Sequence, residues 1–88
     1  MIIIAGRRWF DRKYGNTYHS VTVSVDGKHI GKVDFAYGYG EQYIQSAHKI
    51  LVDNNLAPED YDQFFYDRIN NREKYFITVS DVGRKKDL

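Results

Sequence analysis

An α+β fold is the architecture this sequence predicts: a four-stranded, mainly antiparallel sheet with helices packed on one face. Three observations carry the expectation. Two alternating runs meet at Asp26-Gly27, a stripe at helical spacing follows Tyr37, and alternation returns between Lys74 and Val82. The expected order of elements is β-β-β-α-α(short)-β.

Ile2 to Phe10 reads as the first strand, with Gly6 a candidate bulge where aliphatic sequence gives way to cationic. Residues 11–17 form the connection, turning at Gly15-Asn16. Tyr18 to Val25 and Lys28 to Tyr37 then alternate as the arms of a hairpin. Parity decides its loop. A two-residue turn pairs Val25 with Lys28 and sets Val21 and Val23 beside Ile30 and Lys32. A three-residue loop, Val25-Asp26-Gly27, instead places Val21 and Val23 with Gly31, Val33, Phe35 and Tyr37 on one apolar face, and is the expectation. Ser20, Thr22 and Ser24 join Lys32 and Asp34 on the opposite, wet face.

Tyr43, Ile44, Ala47, Ile50 and Leu51 make an amphipathic helix of about 41–54. Asn54-Asn55 suits a left-handed cap, with Leu56 folding back on the last turn. Pro58, Glu59 and Asp60 read as the first turn of a shorter helix that runs through Phe64, Phe65, Arg68 and Ile69 to Asn70-Asn71. Lys74 to Val82 forms the fourth strand. The expected division is a single domain over 1–83 and a polar, frayed tail over 84–88.

A chain of 88 residues holds one hydrophobic core. Such a domain buries only about 60% of its unfolded surface, and eight Tyr, five Phe and one Trp must be placed, so a homodimer is expected. The absence of cysteine removes disulfides, thiolate nucleophiles and zinc–sulfur sites from the options. Met1 to Ala5 is apolar but too short to span a membrane, and a cytoplasmic protein without a membrane partner is expected. The net charge of +1 is unevenly spread: residues 1–38 carry +3, 39–71 carry −4 and 72–88 carry +2. If those segments lie on different sides of the fold, one face is basic and another acidic.

Arg7, Arg8, Trp9, Arg12, Lys13, Tyr14 and Tyr18 concentrate cations beside rings, the chemistry that stacks bases and neutralises phosphates. The competing reading is that Trp9 anchors the core and the arginines protect a sheet edge. Tyr37-Gly38-Tyr39-Gly40 precedes a helix, but Glu41 in the first turn disfavours an anion and neither glycine motif for nucleotides is matched, so a structural turn is preferred. His19, His29 and His48 lack metal-ligand spacing. The carboxylates of the second helix are explained by its dipole, and the serines lack a nucleophile context. No cofactor, metal or enzyme activity is expected. Tyr61 to Asp67 is acidic and aromatic, with Tyr61 or Tyr66 expected in solvent as a second contact surface.

Arg8-Trp9-Phe10, Tyr14 to Val21, Val25-Asp26-Gly27 and Tyr37 to Gly40, with Gln45 in the helix, resemble a pattern in small bacteriophage-encoded proteins of uncharacterised function. The resemblance spans about residues 7–52. It implies a viral origin, with the host cytoplasm as location, and no activity. Two functions stand on these residues. The expected one is a non-enzymatic accessory protein that binds a host or viral protein through its aromatic and basic surface; the alternative, which the balanced net charge of +1 disfavours, is a single-stranded nucleic-acid or nucleotide-binding module. Arg7, Arg8, Trp9, Arg12, Lys13, Tyr14, Tyr18, Tyr37 and Tyr39 are the candidate binding residues.

Overall fold

A computed structural model describes residues 1–88. Three long strands, β1 (Ile2–Asp11), β2 (Asn16–Val25) and β3 (Lys28–Tyr37), precede helices α1 (Gln42–Asp53) and α2 (Tyr61–Asn70), and β4 (Tyr75–Val82) closes the order expected. The sheet order is β3-β2-β1-β4. β1 is antiparallel to β2 and parallel to β4, so the arginines at positions 7 and 8 lie on an internal strand rather than at an edge.

Both helices cover one face. Tyr43, Ile44, Ala47 and Leu51 of α1 pack on Ile2 and Ile4 of β1 and Val21 and Val23 of β2, all buried. Gly6 is not a bulge. The β1–β2 register runs through it unbroken, and a Cβ there would lie 2.5 Å from Cδ2 of Tyr43, so the glycine lets the ring sit on the strand. Asn55 adopts φ 58° and Leu56 N–H donates to Leu51 O at 2.8 Å, the cap read from Asn54-Asn55. α2 begins later than the sequence suggests. Asp60, not Pro58, caps it by accepting from Asp62 N–H at 2.8 Å, while Pro58 O accepts from His48 Nε2 at 2.7 Å and ties the linker to α1.

The hairpin corrects one expectation and keeps most of its consequence. Asp26 (φ 51°) and Gly27 (φ 82°) form a two-residue turn with Val25 opposite Lys28, not a three-residue loop. A bulge at Ile30 then restores the parity that the loop was invoked to supply, placing Val23 opposite Gly31 and Val21 opposite Val33. A second bulge sets Asp34 and Phe35 opposite Ser20 alone. Beyond it the faces exchange: Ala36 pairs with buried His19, and Tyr37 pairs with Tyr18 on the uncovered side. Phe35 and Tyr37 therefore leave the apolar face assigned to them from alternation.

α2 is clasped to β4 through Asp67. Its carboxylate accepts from the Tyr75 hydroxyl, from Asn71 Nδ2 at 2.9 Å and from Lys74 Nζ at 3.3 Å. The Tyr75 hydrogen bond, with Lys74 and Asn71 behind it, holds the Asp67 carboxyl below the usual range; burial, and then the Asp67 carboxylate, push the Tyr75 phenol up. A carboxyl group held low stabilises the fold above its unfolded pKa of about 3.9 and loses that contribution as pH falls further. Urea unfolding across pH 6 to 2.5 checks this. Wild type is expected to lose stability more steeply below about pH 4 than Tyr75→Phe; equal acid slopes would remove the clasp from the account.

Candidate binding face of the sheet

The face without helices carries a row of rings. Trp9 on β1, Tyr18 on β2 and Phe35 on β3 follow one another across the strands, with centroids 5.9 Å apart for Trp9 and Tyr18 at 25° and 4.7 Å for Tyr18 and Phe35 at 16°. Tyr37 meets Tyr18 edge-on at 5.7 Å. Such cross-strand ring pairs are each worth about 0.5–1.5 kcal/mol beyond the area they bury. Trp9 and Tyr18 are half-buried, whereas Phe35 and Tyr37 are exposed. Two stacked contacts occupy the inner ring faces and Lys85 stands over the outer face of Phe35, so this is a ridge that presents ring edges.

Cations and hydroxyls continue from the ridge. Arg7 lies two positions before Trp9 on the same face of β1. It lines a depression of about 380 Å³ with Ser20, Thr22, Lys32, Asp34, Thr78 and Ser80, and Leu88 closes one side. The last residues fold onto this surface instead of fraying. Lys85–Asp87 is a 3₁₀ turn, Arg7 Nη1 donates to Asp87 O at 3.3 Å, and Lys85 Nζ stands 4.9 Å from the centre of the Phe35 ring. Asp34 and Asp87 each neutralise a neighbour, Lys32 and Arg84, at 3.2 Å.

Of the residues expected to bind, Arg7, Trp9, Tyr18 and Tyr37 come together here. Arg8 does not. It points to the helix side, where it pairs with Asp81 at 2.9 Å and donates to Gly40 O at 3.0 Å. Arg12, Lys13 and Tyr14 lie in the exposed turn over 12–15 at the same end of the sheet, with Lys13 Nζ 5.3 Å from the Tyr14 ring centre. Tyr39 is 71% exposed in the loop to α1 and touches no other ring. Phe35 and Lys85 were missed: the first looks like a core position in an unbroken alternation, and the second belongs to a tail with no pattern.

The histidines do other work. His19 is buried below α1, its Nδ1 donating to Gly38 O at 3.3 Å and its Nε2 lying 2.7 Å from the Ser46 hydroxyl, which donates to it. His48 stacks on Phe64 at 4.7 Å. No group of three or more His, Cys, Asp or Glu side chains is placed to hold a metal, and no helix is long and apolar enough to cross a membrane.

Charge divides as the geometry requires. The helices, with the loops around them, hold the −4 segment on one side of the sheet, while the ridge side carries Arg7, Lys32, Arg84 and Lys85 against Asp34 and Asp87. The molecule is thus a small open-faced α+β sheet protein with a basic, ring-bearing face. Comparison of the chain with protein-family models, curated proteins and solved structures finds no match.

The tail is held by one hydrogen bond to β1 and one exposed cation–ring contact worth about 0.5–1 kcal/mol. Truncation after Gly83 is expected to leave the far-ultraviolet circular dichroism unchanged and to lower the melting temperature by only about 4–8 °C. Loss of cooperative melting on truncation would mean that the tail is part of the core.

Proposed function

We propose that this protein is a non-enzymatic binding module whose open sheet face takes single-stranded nucleic acid. The observation that carries the reading is the adjacency of the Trp9–Tyr18–Phe35 ridge to a hydroxyl-lined depression that holds Arg7 and the Lys32–Asp34 ion pair. Unstacked bases would lie against the ring edges and, where Lys85 swings off the outer face of Phe35, stack on it, and the sugar–phosphate chain would run over Arg7, Lys32 and Lys85. Base–ring stacking contributes about 1–3 kcal/mol per base without sequence preference, and the cations add a term that salt weakens. The acidic helix side disfavours wrapping, so the footprint is confined to one face.

Binding to a protein partner, the function expected from the sequence, becomes the second reading, on a specific observation. Phe65 and Tyr66 are 39% and 63% exposed on α2, next to Asp62 and away from the ridge. Tyr66, not Tyr61, is the exposed tyrosine of this segment; Tyr61 packs on His48 at 5.3 Å.

Fluorescence anisotropy with a labelled single-stranded oligonucleotide separates the two. Wild type is expected to bind with an affinity that falls as salt rises; Phe35→Ala should weaken it about 5- to 100-fold, and Arg7→Glu with Lys85→Glu should flatten the salt dependence. Phe65→Ala with Tyr66→Ala should leave it unchanged. Equal anisotropy for wild type and the charge-reversed protein at low salt would contradict the nucleic-acid reading.

A further inference from the structure

We propose that two copies of the chain associate through the free edge of β4, antiparallel, about a two-fold axis at Thr78. The sheet has two edges, and they are built differently. β3 carries two bulges together with Lys28 and Lys32, devices that discourage another strand from pairing. β4 has no bulge, proline or lysine, and keeps an unbroken register with β1 from Tyr75 to Val82. Its outer amides and carbonyls form a straight template.

Side chains identify the occupant as a second copy. On the helix side α2 covers only the first half of β4: Tyr75 is buried and Ile77 half-buried, whereas Val79 and Asp81 are exposed. Antiparallel pairing about Thr78 matches covered with uncovered, setting Tyr75 opposite Asp81 of the second copy and Ile77 opposite its Val79. An axis perpendicular to the sheet preserves faces, because paired residues then have numbers of the same parity.

The flank of α2 is prepared for that carboxylate. Beside Tyr75 and Ile77 lies a cavity of about 310 Å³ whose other walls are Arg68, Ile69 and Arg72. Arg68 Nε and Nη1 are buried with no hydrogen-bond partner, and its guanidinium lies over the Phe64 and Phe65 rings, at 5.8 and 5.7 Å, and beside the Tyr61 hydroxyl. The Asp81 side chain is 76% exposed although it pairs with Arg8. In the dimer it reaches the mouth of this cavity, and Val79 meets Ile69, 44% exposed in the single chain. Symmetry makes each contact twice. Moving the axis to Ile77 would instead set Glu73 opposite Asp81, two carboxylates face to face. The resulting eight-stranded sheet keeps both ridges on the same side, and the association does not depend on what the ridge binds.

The chain has no cysteine, which makes crosslinking a clean test. Opposed Cα atoms in an antiparallel pair lie about 4.5–5.5 Å apart, within disulfide reach. Thr78→Cys is expected to oxidise to a covalent dimer at micromolar concentration, while Thr22→Cys on the internal strand β2 stays monomeric. Light scattering of charge variants is the second arm. Asp81→Lys and Arg72→Asp should each weaken dimerisation about tenfold or more, since each creates two like-charge contacts, and mixing the two proteins should restore a particle of twice 10.4 kDa because both contacts become attractive. A wild-type particle of 10.4 kDa at millimolar concentration, Thr78→Cys crosslinking no faster than Thr22→Cys, or no recovery on mixing would each overturn the proposal.

Discussion

Two residues of β3, Asp34 and Phe35, oppose the single residue Ser20, and that one extra residue decides which side of the sheet the rest of the strand faces. Without it, Phe35 and Tyr37 would extend the apolar face set by Val21 and Val23, beneath a helix that already seats Tyr43, Ile44, Ala47 and Leu51 there. With it, the helix side receives small residues. Ala36 lies beside His19, and Gly38 passes so close to α1 that a Cβ would come within 2.6 Å of Gln42 Cβ. A bulge leaves ladder groups unpaired and bends the strand. The stacking of Phe35 on Tyr18 and the space made for α1 offset that cost.

From this bend follows the separation of the two faces. The helix face is closed by aliphatic stripes, by Tyr43 seated on Gly6 and by the Asp67–Tyr75 clasp. Rings expelled from that core gather on the other face, where the tail returns over them and brings Lys85 to Phe35. Basic strands and tail against acidic helices give the molecule its polarity, although its net charge is only +1. Charge balance over the whole chain therefore says little about the local field at the ridge.

Much of this was legible in the residues. Strict alternation located the strands, and the 3.6-residue stripe located α1, because burial of one face imposes those periods on any sequence. The cluster of Trp9 with Arg7 was also visible. The bulges were not. Lys32-Val33-Asp34-Phe35-Ala36-Tyr37 alternates polar and apolar almost perfectly, and nothing local records that the register slips between Val33 and Ala36. Arg8 was grouped with Arg7 by adjacency in sequence, yet adjacent strand residues point to opposite faces, so only one of the two could reach the ridge. The parallel pairing of β4 with β1, which makes β1 internal and leaves β4 at the edge, is a long-range choice that composition does not mark.

Nuclear Overhauser contacts of the Phe35 ring test the face exchange most directly. Cross-peaks from Phe35 to the Tyr18 ring, together with cross-peaks from Tyr18 to Trp9 and none from Phe35 to Ala47 or Ile50, are the predicted result. Contacts between Phe35 and the α1 side chains would put the ring back in the core and leave the proposed binding face without its ridge.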